Sequence, residues 1–241
     1  MSFMVADTVF APIDTDLHME RIAGGNETEV YRTDDRRFVV KVKSEERQHT
    51  QEALADVETL RAAAQSFARA VGPRHSIPNY FLVSRNSEGR AQPVIMQPFL
   101  QEAEALFDVD YSQLSKKERK YVAKQLKNII RRSLAFYNES GCLPDLYGRT
   151  SSSKAERKHL NKPHMLPKRL WSFVIKRNLL RAHNLMLTAA PERRVILIDY
   201  DPVQRSKLYQ FVYYNVRRAL FLRDLVLLKV MEKTGYVPNA K

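Results

Sequence analysis

The sequence predicts an α+β protein, strands with one helix in its first part followed by a mainly helical second part. Three observations predict it. Short β-prone runs separated by turn-forming residues fill most of residues 1–100; one long stretch of helical periodicity, 48–70, interrupts them; and residues 101–241 carry two longer helical patterns around only two short apolar runs. At 241 residues the chain is long enough for one large domain or two small lobes around a cleft.

Each element follows from local chemistry. Between Arg21 and Tyr31, Gly24-Gly25 makes a turn between β-prone ends, and Phe38-Val39-Val40-Lys41-Val42-Lys43 supplies a strand to pair with it. Leu54, Val57, Leu60, Ala64 and Phe67 form an apolar stripe at helical spacing, and Gly72-Pro73 ends that helix. Strands follow at 80–84 and 93–97, divided by Asn86-Ser87-Glu88-Gly89. Ser115 with Glu118 is a capping-box start. In the helix it opens, Val122, Leu126, Ile129, Ile130, Ser133 and Tyr137 share one face, and Gly141 closes it. Residues 184–188 and 195–198 read as a small hairpin across Ala190-Pro191-Glu192-Arg193. A last helix spans 206–233, with Tyr209, Phe211, Tyr213, Tyr214 and Phe221 expected in the core. No internal repeat is present.

Composition excludes several classes. There is no run of eighteen apolar residues and no basic, apolar leader at Met1–Asp7, so no membrane span and a cytoplasmic location are expected. The single Cys142 makes neither an intrachain disulfide nor a cysteine zinc site. His159, His164 and His183 match no finger or helical ligand spacing and read as solvated or anion-facing. No G-x-x-x-x-G-K-[ST] is present, which argues against a P-loop. The net charge of +13 is uneven: residues 149–181 hold ten Lys or Arg against one acid, Glu156, a net of +9. Such a segment attracts nucleic acid, an anionic substrate or an acidic protein surface.

The most informative stretch is Val195-Ile196-Leu197-Ile198-Asp199, a buried strand that ends in an acid, preceded by Asn184. A carboxylate and an amide oxygen are hard ligands suited to Mg²⁺, and phosphoryl transfer depends on such charge neutralisation. With Lys41 upstream, the order of parts from Arg21 to Pro202 resembles the protein kinase-like superfamily, in particular its compact bacterial branch of aminoglycoside and choline phosphotransferase-like proteins. The resemblance implies a two-lobed kinase-like fold, with residues 1–100 as the nucleotide-covering lobe and 101–241 as the catalytic lobe.

It also implies roles for named residues. Gly24, Gly25 and Asn26 resemble the loop over the ATP phosphates, although the fuller glycine pattern is missing and an ordinary hairpin turn fits equally. Lys41 is similar to the strand lysine on the phosphates, with Lys43 on the same face as its rival. Glu58 resembles the helix glutamate that holds that lysine, with Glu52 the alternative. Gln97 and Phe99, in Met96-Gln97-Pro98-Phe99-Leu100, resemble the connecting strand that passes the adenine. Asp145, in Leu143-Pro144-Asp145-Leu146-Tyr147-Gly148, resembles the catalytic Asp, without the His or Arg that often precedes it. Asn184 and Asp199 would hold the metal, and Asp201 would share their side if the strand continues.

Asn184 follows Asp145 by thirty-nine residues, where the family has about five. If Gly148 meets Ala182-His183-Asn184 in space, 149–181 is a basic insertion in the catalytic loop, with a helix expected over 168–180 and Trp171 and Phe173 as its own small core. The resemblance implies an ATP- and Mg²⁺-dependent phosphotransferase acting on a hydroxyl-bearing acceptor. The alternative is a catalytically weak kinase-like module that holds nucleic acid or another anionic partner through the insertion.

Overall fold

The computed structural model describes residues 2–5, 18–24, 28–148, 178–202 and 206–237. They fall into two compact units, 2–65 with 77–101, and 66–76 with 102–148 and 178–237. The α+β class and the division into a sheet-rich and a mainly helical part are as the sequence predicts.

The first unit is built on six strands: β1 (Ser2–Val5), β2 (Met19–Gly24), β3 (Thr28–Thr33), β4 (Phe38–Lys43), β5 (Tyr80–Arg85) and β6 (Ala91–Pro98). They pair antiparallel in the order β1-β5-β6-β4-β3-β2. The strand β1 has no counterpart in the sequence-based expectation. The β3–β4 turn is set by Asp35, whose Oδ1 accepts from the Thr33 hydroxyl (2.6 Å) and the Arg37 N–H (2.9 Å). Asn86 does the same for β5–β6, its Oδ1 accepting from the Glu88 and Arg90 N–H groups. In β4 the period of two buries Val40 and Val42 in a cluster with Leu82, Val94 and Met96, and leaves Val39, Lys41 and Lys43 half-buried on the other face. Helix α1 (Thr50–Val71) buries Ala53, Val57, Leu60, Ala64 and Phe67. Leu54, expected in that stripe, is only half-buried.

The second unit holds a three-stranded sheet, β7 (Glu104–Ala105), β8 (Leu185–Leu187) and β9 (Val195–Leu197), and two long helices, α2 (Lys116–Ser140) and α3 (Lys207–Thr234). The expected hairpin is β8–β9; β7 was not foreseen, because two residues show no periodicity. Helix α2 opens with the predicted capping box: Ser115 Oγ accepts from the Glu118 N–H (3.2 Å), and Glu118 Oε2 accepts from the Ser115 N–H (2.8 Å). Glu118 Oε1 also takes Arg193 Nε at 3.0 Å, which ties the start of α2 to the β8–β9 turn.

Those bonds, Ser115 first and then Arg193, hold the Glu118 carboxyl at about 2, below its usual 4.5. A depressed carboxyl adds stability above the unfolded value and loses it as pH falls toward the folded one. Glu118→Ala is therefore expected to be less stable than wild type at pH 7, with the gap closing between about pH 4.5 and 2. Denaturant unfolding at pH 7, 4 and 3 measures it, and a gap that ignores pH would contradict the assignment.

Three local expectations are corrected. Only Tyr214 and Phe221 of the aromatic stripe on α3 are core; Tyr209 and Phe211 are exposed, because five aromatics over thirteen residues are too widely spread for one helical face. The strand β9 ends at Leu197, so Asp201 does not continue it. The helix expected over 168–180 lies outside the described residues up to 177. At its end Asn178 is extended and Leu179–Arg181 forms a 3-10 turn, so no α-helix reaches Leu180. Trp171 and Phe173 also lie outside the described residues. No helix among the described residues is long and apolar enough to cross a membrane.

Candidate active site

After Gly141 the chain runs without regular structure to Gly148, anchored by the buried side chains of Leu143, Leu146 and Tyr147. These apolar anchors leave Asp145 between them, a quarter exposed. Its Oδ1 accepts from the N–H groups of Tyr147 (3.2 Å) and Gly148 (3.3 Å) and from Arg217 Nη2 (3.1 Å). Three donors on one oxygen fix the carboxylate's rotamer. Among the described residues nothing bonds to Oδ2.

Arg217 comes from the middle of α3 and is 3% exposed. Its guanidinium lies over the rings of Tyr147 (4.4 Å) and Tyr213 (4.8 Å) and donates to the Tyr213 hydroxyl at 2.9 Å. Burial by itself would lower the arginine's pKa; the Asp145 carboxylate, with Tyr213 and Tyr147, more than offsets it and leaves it raised. The cation beside Asp145 thus comes from α3 and not from the residue before it, which is Pro144.

Seven residues on, Asp224 is also buried. Its Oδ2 accepts from the Tyr147 hydroxyl (2.7 Å) and the Leu179 N–H (3.1 Å), and its Oδ1 from Arg223 Nη2 (2.7 Å). One carboxylate therefore pins the chain just before residue 149 and just after residue 177. Burial, then the Asp224 charge, push the Tyr147 hydroxyl well above its usual 10, so it stays a donor.

The returning chain lies against the outgoing one. The His183 N–H donates to the Tyr147 carbonyl (2.9 Å), and Asn184 Nδ2 donates to the Asp145 carbonyl (2.8 Å). Gly148 has φ +73°, and a Cβ there would sit 2.5 Å from Asn184 Oδ1. Glycine at 148 is what permits this approach. The Ile198 N–H donates to the Asn184 carbonyl (3.0 Å), which places Asn184 across from the segment entering Asp199. Asp199 then starts a turn, its Oδ1 accepting from the Asp201 N–H at 3.3 Å.

The donor set fits magnesium in kind. With its amide nitrogen bound to Asp145, Asn184 turns its oxygen end to the Gly148 side, and Asp199 adds a carboxylate. Among the described residues no group of three or more His, Cys, Asp or Glu could hold a metal. Two oxygen-bearing residues suit an ion shared with phosphates and water better than a cage made by protein alone.

The candidates in the first unit fare differently. Lys41 stands on β4 opposite Val30 and Ile95, and Lys43 on the same face donates to the Thr28 hydroxyl at 3.2 Å. Gly24 ends β2; Gly25 and Asn26 lie outside the described residues. Glu58 turns outward on α1, away from the Ala53, Val57 and Leu60 stripe, and pairs with Arg61 at 2.8 Å, while Glu52 is exposed as well. One residue past Val57 is 100° around the helix, which faces it to solvent. The Gln97 side chain is buried and donates to Asn79 Oδ1. The Phe99 N–H donates to the Arg37 carbonyl (2.7 Å), and its ring lies under the Arg32 guanidinium at 5.7 Å.

Sequence inspection missed Arg217, Asp224 and the supporting Tyr147. The signal was present: opposite charges seven residues apart share a helical stripe with Phe221 and Leu228, and charges on an apolar face are buried only with partners.

No protein-family model and no curated protein matches the chain. Solved structures similar to it include a spectinomycin phosphotransferase in complex with ADP and spectinomycin, at 14% identity and TM-score 0.40, covering 93% of this chain and 76% of that one. An aminoglycoside phosphotransferase from Streptomyces rimosus is similar at 12% identity and TM-score 0.40, covering 93% and 88%. Likenesses this distant assign no residue a role.

Proposed function

We propose that the protein is an ATP- and Mg²⁺-dependent phosphotransferase that moves the γ-phosphoryl group to a hydroxyl acceptor. The observation that carries this is the convergence of Asp145, Asn184 and the backbone leading into Asp199 through the bonds Asn184 Nδ2 to Asp145 O and Ile198 N–H to Asn184 O. A scaffold gains little from setting the Asn184 amide on the Asp145 carbonyl across thirty-nine residues, beside the segment that enters Asp199.

In this reaction the acceptor oxygen attacks the γ-phosphorus, the bond to the bridging oxygen breaks, and the hydroxyl proton passes to Asp145 while ADP leaves with the electron pair. Asp145 receives the hydroxyl at Oδ2, with Arg217 and two N–H groups holding Oδ1. Asn184 and Asp199 would hold Mg²⁺, which neutralises charge on the phosphates. Lys41 is assigned to the phosphates and Gly24 to their covering loop. Glu58 is not assigned to Lys41, since it is committed to Arg61.

Thermal shift with ATP, with and without Mg²⁺, tests the proposal on wild type and Asp199→Ala. Ligand at a hundred times Kd stabilises by about 2.7 kcal/mol, an increase of roughly 5–10 °C for a chain of this size. The shift is expected to need Mg²⁺ and to vanish in Asp199→Ala. An equal Mg²⁺-dependent shift in both proteins would remove Asp199 from the site; no shift in either would favour the anion-binding alternative at 149–181.

A further inference from the structure

The second unit carries a groove of about 1130 Å³ that includes none of the residues proposed for phosphotransfer. The 3-10 turn Pro73–His75, the exposed side of α2, residues 192 and 194 and Glu232 line it. Six cations face it: Arg74, Lys120, Lys124, Lys127, Arg131 and Arg194. Two have carboxylate neighbours, Lys127 with Glu232 at 2.7 Å and Arg194 with Glu192 at 3.9 Å. Among the described residues the other four meet no carboxylate.

Lys120, Lys124, Lys127 and Arg131 are spaced four, three and four apart, so they form one row on α2 about 16 Å long. Like charges at this spacing destabilise a helix by a few tenths of a kcal/mol per pair, a cost that a bound anion reverses. The row is longer than a single phosphate can engage, which selects a linear polyanion. Tyr121, 43% exposed, stands in the groove beside the row and offers an aromatic face.

The floor is fixed. Gln125 Nε2 donates to the Arg193 carbonyl (2.8 Å), Gln125 Oε1 accepts from the Val195 N–H (3.0 Å), and His75 Nδ1 donates to the Val195 carbonyl (2.9 Å). A cationic groove with a stacking ring on a rigid floor is the arrangement that holds unpaired bases and their phosphates.

We propose that this groove binds single-stranded nucleic acid, with Lys120, Lys124, Arg131 and Arg74 on its phosphates and a base stacked on Tyr121. The closing experiment is fluorescence anisotropy of the full chain with a labelled twelve-residue oligouridylate over a series of KCl concentrations. K120E/K124E is expected to raise Kd at least tenfold at low salt and to reduce the magnitude of the log K against log salt slope by about 1.4, at ~0.7 per lost contact. Y121A is expected to raise Kd about fivefold or more with the slope unchanged, since stacking carries no counterion release. K207E/K229E, the same change in net charge on exposed lysines outside the groove, is expected to leave Kd within about twofold. Thermal melts check that each variant folds, and K120A/K124A stands in for the charge reversal if it does not. The proposal is overturned if the groove variants bind no worse than K207E/K229E. It is overturned equally if Y121A matches wild type and inorganic polyphosphate of equal charge competes as well as the oligonucleotide, since the site is then one for anions alone.

Discussion

Asp145→Ala is expected to cost roughly 3 kcal/mol of folding stability, besides its effect on phosphotransfer. The reason is Arg217, 3% exposed and 3.1 Å from Asp145 Oδ1. Taking the carboxylate away leaves a buried guanidinium with the Tyr213 hydroxyl and two aromatic faces but without that anion. Asp145 is a quarter exposed, which places the cost at the lower end for a buried pair. Arg217→Met in the same chain removes the buried charge and keeps most of the packing volume, so the double variant is expected to recover about 2 kcal/mol relative to Asp145→Ala. A double-mutant cycle in denaturant measures the coupling directly. Additive single effects would show that the pair is incidental. Asp145→Asn keeps an oxygen on the Tyr147 and Gly148 N–H groups, and is the variant whose lost activity reports on chemistry; general-base help of this kind is worth about 10² to 10⁴-fold.

Gly148→Ala is expected to raise the Mg²⁺ concentration needed for ATP-induced stabilisation and to lower phosphotransfer about a hundredfold or more, at a level set by how far Asn184 is displaced. Two effects combine. The φ of +73° costs a non-glycine residue about 1–2 kcal/mol. The added Cβ would also meet Asn184 Oδ1 at 2.5 Å and the Asn184 backbone nitrogen at 3.1 Å. Asn184 yields only by giving up its bond to the Asp145 carbonyl. Gly141→Ala separates the two effects, because φ there is +70° and nothing lies within 4 Å of the new Cβ. Strain alone predicts a similar loss of stability in both variants with the Mg²⁺ dependence unchanged in Gly141→Ala. Identical Mg²⁺ titrations for the two would place Asn184 outside the metal site.

Local signals account for much of what the sequence makes legible. The Asn86 turn, the Ser115–Glu118 capping box, the Gly141 end of α2 and the alternation in β4 are each decided by residues within a few positions of one another. The β8–β9 hairpin is legible for the same reason, and the order of Asp145, Asn184 and Asp199 along the chain is enough to nominate them together.

What the sequence by itself determined is therefore the α+β class, most of the regular elements and the identity of three oxygen-bearing candidates. Tertiary structure alone decided their company. It set Asn184 against Gly148 across the basic segment, brought Arg217 from a helix seventy-two residues away to Asp145, and used Asp224 to hold Tyr147 and Leu179 together. It also set Glu58 beside Arg61, the Gln97 side chain on Asn79 and the Phe99 N–H on the Arg37 carbonyl. The physical reason is one of range. Propensity, capping and periodicity act over a few residues, whereas the partner of a charged or hydrogen-bonding group is chosen by which elements burial packs together, and no local pattern records that choice.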